Sequence, residues 1–235
     1  MPIREKVSLF KRYQSKRVET IEPFKTYYLI LEGTNTEPFY FNQFEKKLRT
    51  MKVYNHVRLV FLERTGNDIG SNSPTQLLNF LLKFKQEKND SSGVFVMVFD
   101  RDSFKNHPNP LQSYNDFINK ALKLPIKVVV SSPCFEIWLL LHYPNVVNDY
   151  LIDNKMKLLE NRRVSSSFTF ASKMVDQLFG FNPKAEIPDH FIDKLPIALK
   201  QRCELTRDVR LLGIELGENI GDLIDEIQLD SRGLT

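Results

Sequence analysis

The first 145 residues alternate between short apolar runs and longer stretches with helical periodicity. Four apolar runs predict β-strands, at residues 26–32, 56–63, 93–100 and 126–132. Between these runs, residues 38–51, 74–88 and 111–124 have the spacing of amphipathic helices, and Ser73 followed by Pro74 is typical of a helix start. A repeated strand–helix–strand order predicts a parallel sheet with right-handed crossovers.

The pattern becomes helical near residue 145 and stays so to the end of the chain. Helical stretches, separated by Gly, Pro and Asn, are predicted at residues 155–164, 169–180, 188–209 and 219–228. We therefore predict an N-terminal arm (1–23), an α/β core (24–149) and a helical extension packed on that core (150–235).

Composition fits a cytoplasmic globular protein. The chain has 235 residues, of which 42% are hydrophobic, and this is enough to bury a substantial core. No run approaches the roughly 18 apolar residues of a membrane helix, and the start lacks the features of a signal peptide, so no membrane segment is expected. Cys134 and Cys203 are too few for a disulfide framework or a cysteine zinc site.

Charge is unevenly distributed around a net value of +4. Residues 1–23 carry six Lys and Arg against three Glu, whereas residues 204–235 carry eight acids against three Arg. The basic arm could contact nucleic-acid phosphates or be an ordinary solvated tail. Its candidate contact residues are Lys11, Arg12, Lys16 and Arg17.

Carboxylates follow three of the predicted strands. Glu32 closes the first strand, Asp100 closes the third with Asp102 two residues on, and Glu136 follows the fourth. Ligands of open parallel sheets bind outside the carboxyl ends of the strands, so these side chains are expected to meet. Clustered carboxylates resist ionisation unless a cation neutralises them, and an all-oxygen set favours Mg²⁺ or Mn²⁺ over zinc.

Each acid also has an ordinary structural explanation. An Asp at a strand end commonly caps a turn. Thr34 and Glu37 match a capping box, which predicts a structural role for Glu37. If Ser132 is the N-cap of the next helix, with Pro133 as its first residue, a capping box does not explain Glu136, and this acid needs another partner.

Several other chemistries lack support in the sequence. There is no P-loop motif and no G-x-G-x-x-G motif, so neither nucleotide hydrolysis by a P-loop nor a Rossmann cofactor is expected. Cys134 has no phosphatase-type Arg after it and no His placed to activate it. His142 lies about 240° around a helix from Glu136, so we expect it to be structural and not to share a ligand with Glu136.

Four sequence blocks together resemble the RloB-like protein family. They are YYLILEGTNTEPFYFNQF (27–44), VFVMVFDRDSF (94–104), SSPCFEIWLLLHY (131–143) and GENIGDLIDEI (217–227). The third block is the most specific because W-L-L-L-H after P-C-F-E is an unusual string. The resemblance implies a Toprim-like α/β fold, the fold shared by topoisomerases, bacterial primases and overcoming-lysogenization-defect nucleases.

The same resemblance implies a set of site residues. Glu32 matches the glutamate after the first Toprim strand, Asp100 and Asp102 match the D-x-D, and these three would hold Mg²⁺ or Mn²⁺. Glu136 is a candidate further catalytic residue. Toprim proteins often carry another acid after the D-x-D, whereas here Ser103, Phe104 and Lys105 follow, so a second metal site would be weakened or completed by Glu136.

The implied activity is that of a metal-dependent nuclease in bacterial phage defence, with RNA such as tRNA preferred over DNA and an ABC-type ATPase as partner. Lys105, Arg101 and His107 could contact phosphate or assist proton transfer, or be ordinary loop residues. Two alternatives stay open: a non-catalytic module that binds nucleic acid or a partner through a structural metal, and a primase-like nucleotidyl transferase.

Overall fold

A computed structural model describes most of the chain. The described residues are 5–6 (backbone only), 25–50, 56–64 and 73–231. The candidate phosphate contacts of the basic arm lie outside the described residues, namely Lys11, Arg12, Lys16 and Arg17.

A six-stranded sheet forms the centre of the fold. Its strands are β1 (Glu5–Lys6), β2 (Lys25–Leu31), β3 (Val57–Leu62), β4 (Val94–Asp100), β5 (Lys127–Ser132) and β6 (Gly217–Glu218). Their order in space is β1-β3-β2-β4-β5-β6; the four long strands are parallel, and the two-residue edge strands are antiparallel to their neighbours. The predicted fold class, a mainly parallel sheet with flanking helices and a helical C-terminal part, is confirmed.

Eight α-helices accompany the sheet in the described part of the chain. They are α1 (Thr36–Thr50), α2 (Pro74–Lys88), α3 (Pro110–Ala121), α4 (Glu136–Leu140), α5 (Lys155–Glu160), α6 (Phe170–Phe179), α7 (Leu195–Gln201) and α8 (Ile220–Ser231). Helix α2 begins as predicted, because Ser73 and Gln76 form a reciprocal capping box around Pro74. No helix in the described ranges is long and apolar enough to cross a membrane.

The strands bury both faces, which explains their nearly continuous apolar sequences. On β2, Tyr27 and Leu29 belong to one hydrophobic core, and Tyr28 and Ile30 belong to the other. Helices α2 and α3 cover the second face. Helix α1 and the apolar residues of α4–α8 cover the first face.

The predicted start of the helix after β5 is wrong. Ser132 still pairs with Gly217 as the last residue of β5, and its peptide bond to Pro133 is cis. The Pro133 carbonyl accepts a hydrogen bond from the Asp102 amide at 3.0 Å, so this segment is tied to the D-x-D and not to a helix. Helix α4 begins three residues later, with Glu136 as its first residue.

Two stretches of the extension are less helical than predicted. Helix α5 ends at Glu160 because Asn161 takes the left-handed conformation, with φ 41°. The predicted helix over 188–209 is divided into a 3₁₀ turn, the short α7 and a second 3₁₀ turn.

Residues 217–219 close the free edge of β5. Besides the β6 pairing, the Asn219 side chain accepts from the Val130 amide at 2.7 Å and donates to the Val128 carbonyl at 3.0 Å. The approach at Gly217 is close, since a Cβ there would lie 2.0 Å from the Thr206 carbonyl oxygen. Late residues of the sequence therefore complete the sheet.

Candidate functional site: an acidic cleft at the carboxyl edge of the sheet

A cleft of about 430 Å³ opens where the strand order reverses. The chain passes from β2 to β3 on one side and returns to β4 on the other side, so β2 and β4 flank the switch point at which ligands of open α/β sheets bind. Five carboxylates line this cleft: Glu32, Glu37, Asp100, Asp102 and Glu136. The structure thus brings together the four acids predicted from strand ends and adds Glu37.

Glu32 and Asp100 are fixed by hydrogen bonds across the switch point. One Glu32 carboxylate oxygen accepts from the Asp100 amide at 2.9 Å, and the other accepts from the Ser103 hydroxyl. The Asp100 carboxylate accepts from the Ser131 hydroxyl at 2.8 Å. Ser103, the first residue after the D-x-D, therefore orients Glu32.

Asp102 is held from the helical extension. Its Oδ2 accepts from the Asn161 side-chain amide at 3.1 Å. Its Oδ1 is buried without a hydrogen bond and lies 3.6 Å from an Arg101 nitrogen. One oxygen of this carboxylate is therefore engaged, and the other has spare acceptor capacity.

Glu37 has a local structural role, although not the capping box predicted with Thr34, and it also lines the cleft. Helix α1 begins at Thr36, two residues after the predicted N-cap, and the Glu37 carboxylate accepts from the Gly33 amide at 2.9 Å. A Cβ at Gly33 would lie 2.0 Å from a Glu37 oxygen, so glycine makes this close approach possible.

Glu136 and Cys134 line the wall that follows β5. The Glu136 side chain is buried at the first position of α4. Burial raises the pKa of the Cys134 thiol well above its usual value, and the nearby charges of Glu136 and Asp100 raise this pKa further. The thiol therefore stays protonated, which argues against a nucleophilic Cys134.

Burial and mutual repulsion raise the pKa values of Glu32, Glu37, Asp100 and Asp102. The pKa of Glu37 is raised to about 7, chiefly by burial and then by Glu136 and Glu32. Burial raises the pKa of Asp100 well above its usual value, with additional repulsion from Glu37, Glu32 and Glu136. The pKa values of Glu32 and Asp102 are also raised, again mainly by burial.

The cations predicted to contact phosphate have different positions. Arg101 donates to the Leu159 carbonyl at 2.7 Å, and Lys105 donates to the carbonyls of Glu160 and Asn161. Both groups thereby bind the carboxyl end of α5, where helix carbonyls attract positive charge. His107 is exposed, with its ring against Phe104. Contact of Arg101, Lys105 or His107 with phosphate stays a prediction.

Three further residues at the cleft were not identified from the sequence. Asn161 contacts Asp102, Lys184 lines the cleft, and Arg64 donates to the Glu32 carbonyl at 3.0 Å. The apolar periodicity indicates only that Arg64 follows a strand. The Asn at 161 does signal a helix end, but its contact with the D-x-D depends on the tertiary fold.

The donor chemistry of the cleft fits a hard divalent cation. Within the described ranges, no three Asp, Glu, His or Cys side chains already form a metal-binding group. The carboxylates are nevertheless an all-oxygen set of the kind Mg²⁺ and Mn²⁺ prefer, and Asp102 Oδ1 is buried without a hydrogen bond. A cation would also relieve the repulsion that raises the carboxyl pKa values.

Fold and cleft together define an α/β protein with an acidic site at the switch point of a mainly parallel sheet. The family model described as RloB-like protein matches residues 27–197, which is more than half of the chain. The chain belongs to the RloB-like family. No curated protein and no solved structure matches it.

Proposed function

We propose that this protein is a metal-dependent phosphodiesterase that cleaves nucleic acid, with RNA as the preferred substrate. The observation that carries the proposal is the acidic cleft. Its five carboxylates come from three separate segments and meet at one edge of the sheet. Of these, only Asp102 lies within ion-pair distance of a described cation, Arg101, while the charge of Arg64 also favours ionised Glu32; the five acids therefore outnumber the cations beside them.

Glu32, Asp100 and Asp102 would hold the metal, and Glu136 is the candidate for a further contact. A bound Mg²⁺ or Mn²⁺ supplies Lewis-acid polarisation of a phosphate and lowers the pKa of a water nucleophile. The chain contributes fixed orientation, because Ser103 and Ser131 hydrogen-bond Glu32 and Asp100. Such support keeps ligands in place before substrate binds.

A polyanionic substrate needs cations at the rim of an acidic cleft. Lys184 lines the cleft and is exposed. Arg163 is also exposed. It forms an isolated antiparallel β-bridge with Thr169, which lines the cleft, so the two side chains lie on the same side of the paired backbone. Neither cation forms an ion pair with another described residue, whereas Arg162 pairs with Glu160. Arg163 and Lys184 are our candidates for phosphate contacts.

The finer parts of the proposal rest on what the family resemblance implies. They are tRNA or another RNA as substrate, a toxic role in phage defence, and an ABC-type ATPase as activating partner. The cleft is compatible with RNA and DNA alike, because a metal-activated water does not need a 2′-hydroxyl.

The test is a cleavage assay with purified protein. Total tRNA, single-stranded RNA and duplex DNA are each incubated with Mg²⁺, Mn²⁺ or EDTA. Glu32→Gln and Asp100→Asn remove charge from the cleft with little change in shape. Glu218→Gln is a control, because Glu218 is a buried acid outside the cleft.

Cleavage that needs metal, is lost in both cleft variants and persists in Glu218→Gln would support the proposal and identify the polymer. If the wild type is inactive alone, the assay is repeated with the candidate ATPase. Metal-dependent binding without cleavage in both settings would favour the non-catalytic module, and incorporation of labelled nucleotides would favour the primase-like alternative.

A further inference from the structure

Asn161 connects three parts of the molecule. It ends α5 in the left-handed conformation, its side chain is buried, and it lines the acidic cleft. Its side-chain nitrogen faces Asp102 Oδ2 at 3.1 Å and the Cys134 sulfur at 3.3 Å. Its side-chain oxygen accepts from the Ala171 amide, in the first turn of α6, also at 3.1 Å.

These contacts fix which way the Asn161 amide points. The Ala171 amide can only donate, so it must meet the Asn161 oxygen, and the nitrogen is left facing the carboxylate. The donor is therefore aimed at Asp102 by a bond to α6. The bond to Ala171 also satisfies one of the amides left without a partner at a helix start.

The D-x-D segment is bound to the same turn by two more side chains. Arg101 and Lys105, on either side of Asp102, donate to the carbonyls of residues 159–161. The backbone of the segment is thus held by its cations, and the carboxylate itself is held by Asn161. Asp102 Oδ1 accepts no hydrogen bond and lies 3.6 Å from an Arg101 nitrogen, so this is the oxygen with spare acceptor capacity for a cation.

We propose that Asn161 is a positioning residue for Asp102, through which the helical extension sets the affinity of the cleft for a divalent cation. The inference rests on the proposed metal site and deepens it. Loss of a hydrogen-bond partner behind a metal ligand typically weakens metal affinity about 10- to 100-fold. We expect Asn161→Gly to fall in this range.

Glycine is the informative substitution because it accepts the left-handed backbone and removes only the amide. The chain offers a matched control in Asn89, which ends α2 in the same conformation, with φ 48°, and is absent from the cleft lining. Mn²⁺ affinity is measured on the full chain by the electron paramagnetic resonance signal of free Mn²⁺. Thermal unfolding in EDTA verifies that each variant is folded.

The expected result is Mn²⁺ binding at least about tenfold weaker in Asn161→Gly and nearly unchanged in Asn89→Gly. In an Asp102→Asn background, removal of Asn161 should cost much less, because the two effects are coupled. Wild-type affinity in Asn161→Gly, or an equal loss in both backgrounds, would overturn the positioning role. If Asn161→Gly does not fold, Asn161→Ser replaces it, because it lacks the amide that donates to Asp102 and adds no charge to the cleft.

Absence of Mn²⁺ binding by the wild type would instead overturn the proposed metal site, and with it this inference. The two failures are therefore distinguishable. In the first failure the wild type binds Mn²⁺, and in the second it does not.

Discussion

The protein contains two clusters of buried or partly buried acids, and the negative charge of each cluster is compensated in a different way. Near the C-terminus, Glu218 lies close to Arg202, whose guanidinium bonds both Asp222 and Asp225. In the cleft, the acids are hydrogen-bonded by hydroxyls and amides, and among the described residues only Asp102 has a cation within ion-pair distance. One cluster is centred on a single arginine that bonds its acids, whereas the five cleft acids receive only partial counter-charge, from Arg64, Arg101 and Lys105.

The difference separates a structural cluster from a candidate binding site. Arg202 is almost fully buried, and a Cβ on Gly221 would lie 2.3 Å from its side chain, so the α8 backbone is fitted closely around the arginine. In the cleft, the available cations Arg101 and Lys105 bond carbonyls of the extension. Strongly perturbed acids in a cleft are candidates for function, whereas acids neutralised by an internal Arg are explained by stability alone.

The largest expected effect is on activity. Asp100→Asn should reduce metal-dependent cleavage on the order of 10³-fold, the upper range for removing one group that stabilises transition-state charge. Asp225→Asn, in the arginine-paired cluster, should leave cleavage within about twofold of the wild type. Single-turnover rates at saturating Mg²⁺ measure both. Equal losses in the two variants would remove the functional distinction between the clusters.

For stability we expect the opposite order, with the larger effect in the arginine-paired cluster. Arg202→Met removes the cation shared by Glu218, Asp222 and Asp225, although Asp222 keeps Arg207 as a partner at 3.1 Å; breaking a buried pair typically costs about 3–5 kcal/mol. We expect the lower end of this range because the two aspartates are 46% and 42% exposed. Urea unfolding in EDTA measures the loss. If Mg²⁺ restored the unfolding free energy lost in Arg202→Met, the two clusters would not be independent.

The pH dependence of Mg²⁺ stabilisation should also distinguish the clusters. The pKa of Glu37 rises from 4.5 to about 7 on folding, so without metal this group's contribution to stability is lost as pH increases through that interval. Mg²⁺ binds the ionised carboxylates, so it should stabilise the protein little at pH 5 and, at 100 times its Kd, by about 2.7 kcal/mol at pH 8.

The measurement is the difference in unfolding free energy between Mg²⁺ and EDTA at each pH. Glu218, whose pKa is also raised to about 7, and His142, whose pKa is lowered to about 3, lie outside the cleft and cancel in this difference. Equal stabilisation at both pH values would argue that Mg²⁺ binds elsewhere.

The smallest expected effect concerns the rim of the cleft. Arg163→Gln and Lys184→Gln should each weaken RNA binding modestly and reduce the slope of log affinity against log salt by about 0.7. Fluorescence anisotropy in an Asp100→Asn background measures binding without cleavage. Lys123→Gln, an exposed cation next to the opposite end of β5, is the control. Equal slopes in all three variants would exclude the rim contacts.

The sequence predicts the sheet well because buried parallel strands are apolar and bounded by turns. It does not predict β6, since a strand of two residues, Gly217 and Glu218, has no periodicity to detect. The helix after β5 was misplaced because Ser132 and Pro133 have the composition of a helix start, whereas tertiary pairing extends the strand through Ser132.

The site is predicted only as far as strand topology dictates. Glu32, Asp100, Asp102 and Glu136 meet because parallel strands end at one edge of the sheet. The Thr34–Glu37 spacing predicts a capping box, whereas the Glu37 carboxylate bonds the Gly33 amide, and no local signal indicates that it faces the cleft. Asn161 reaches the cleft from the extension, and no local pattern encodes that contact.

Closure of the β5 edge by residues 217–219 has a consequence for synthesis of the chain. A ribosome releases β2, β4 and β5, with every acid of the cleft, well before it releases the residues that pair with β5. Until then that edge keeps unpaired backbone groups, and the apolar face later covered by α8 stays exposed. The nascent sheet therefore cannot complete its pairing until translation has passed residue 219.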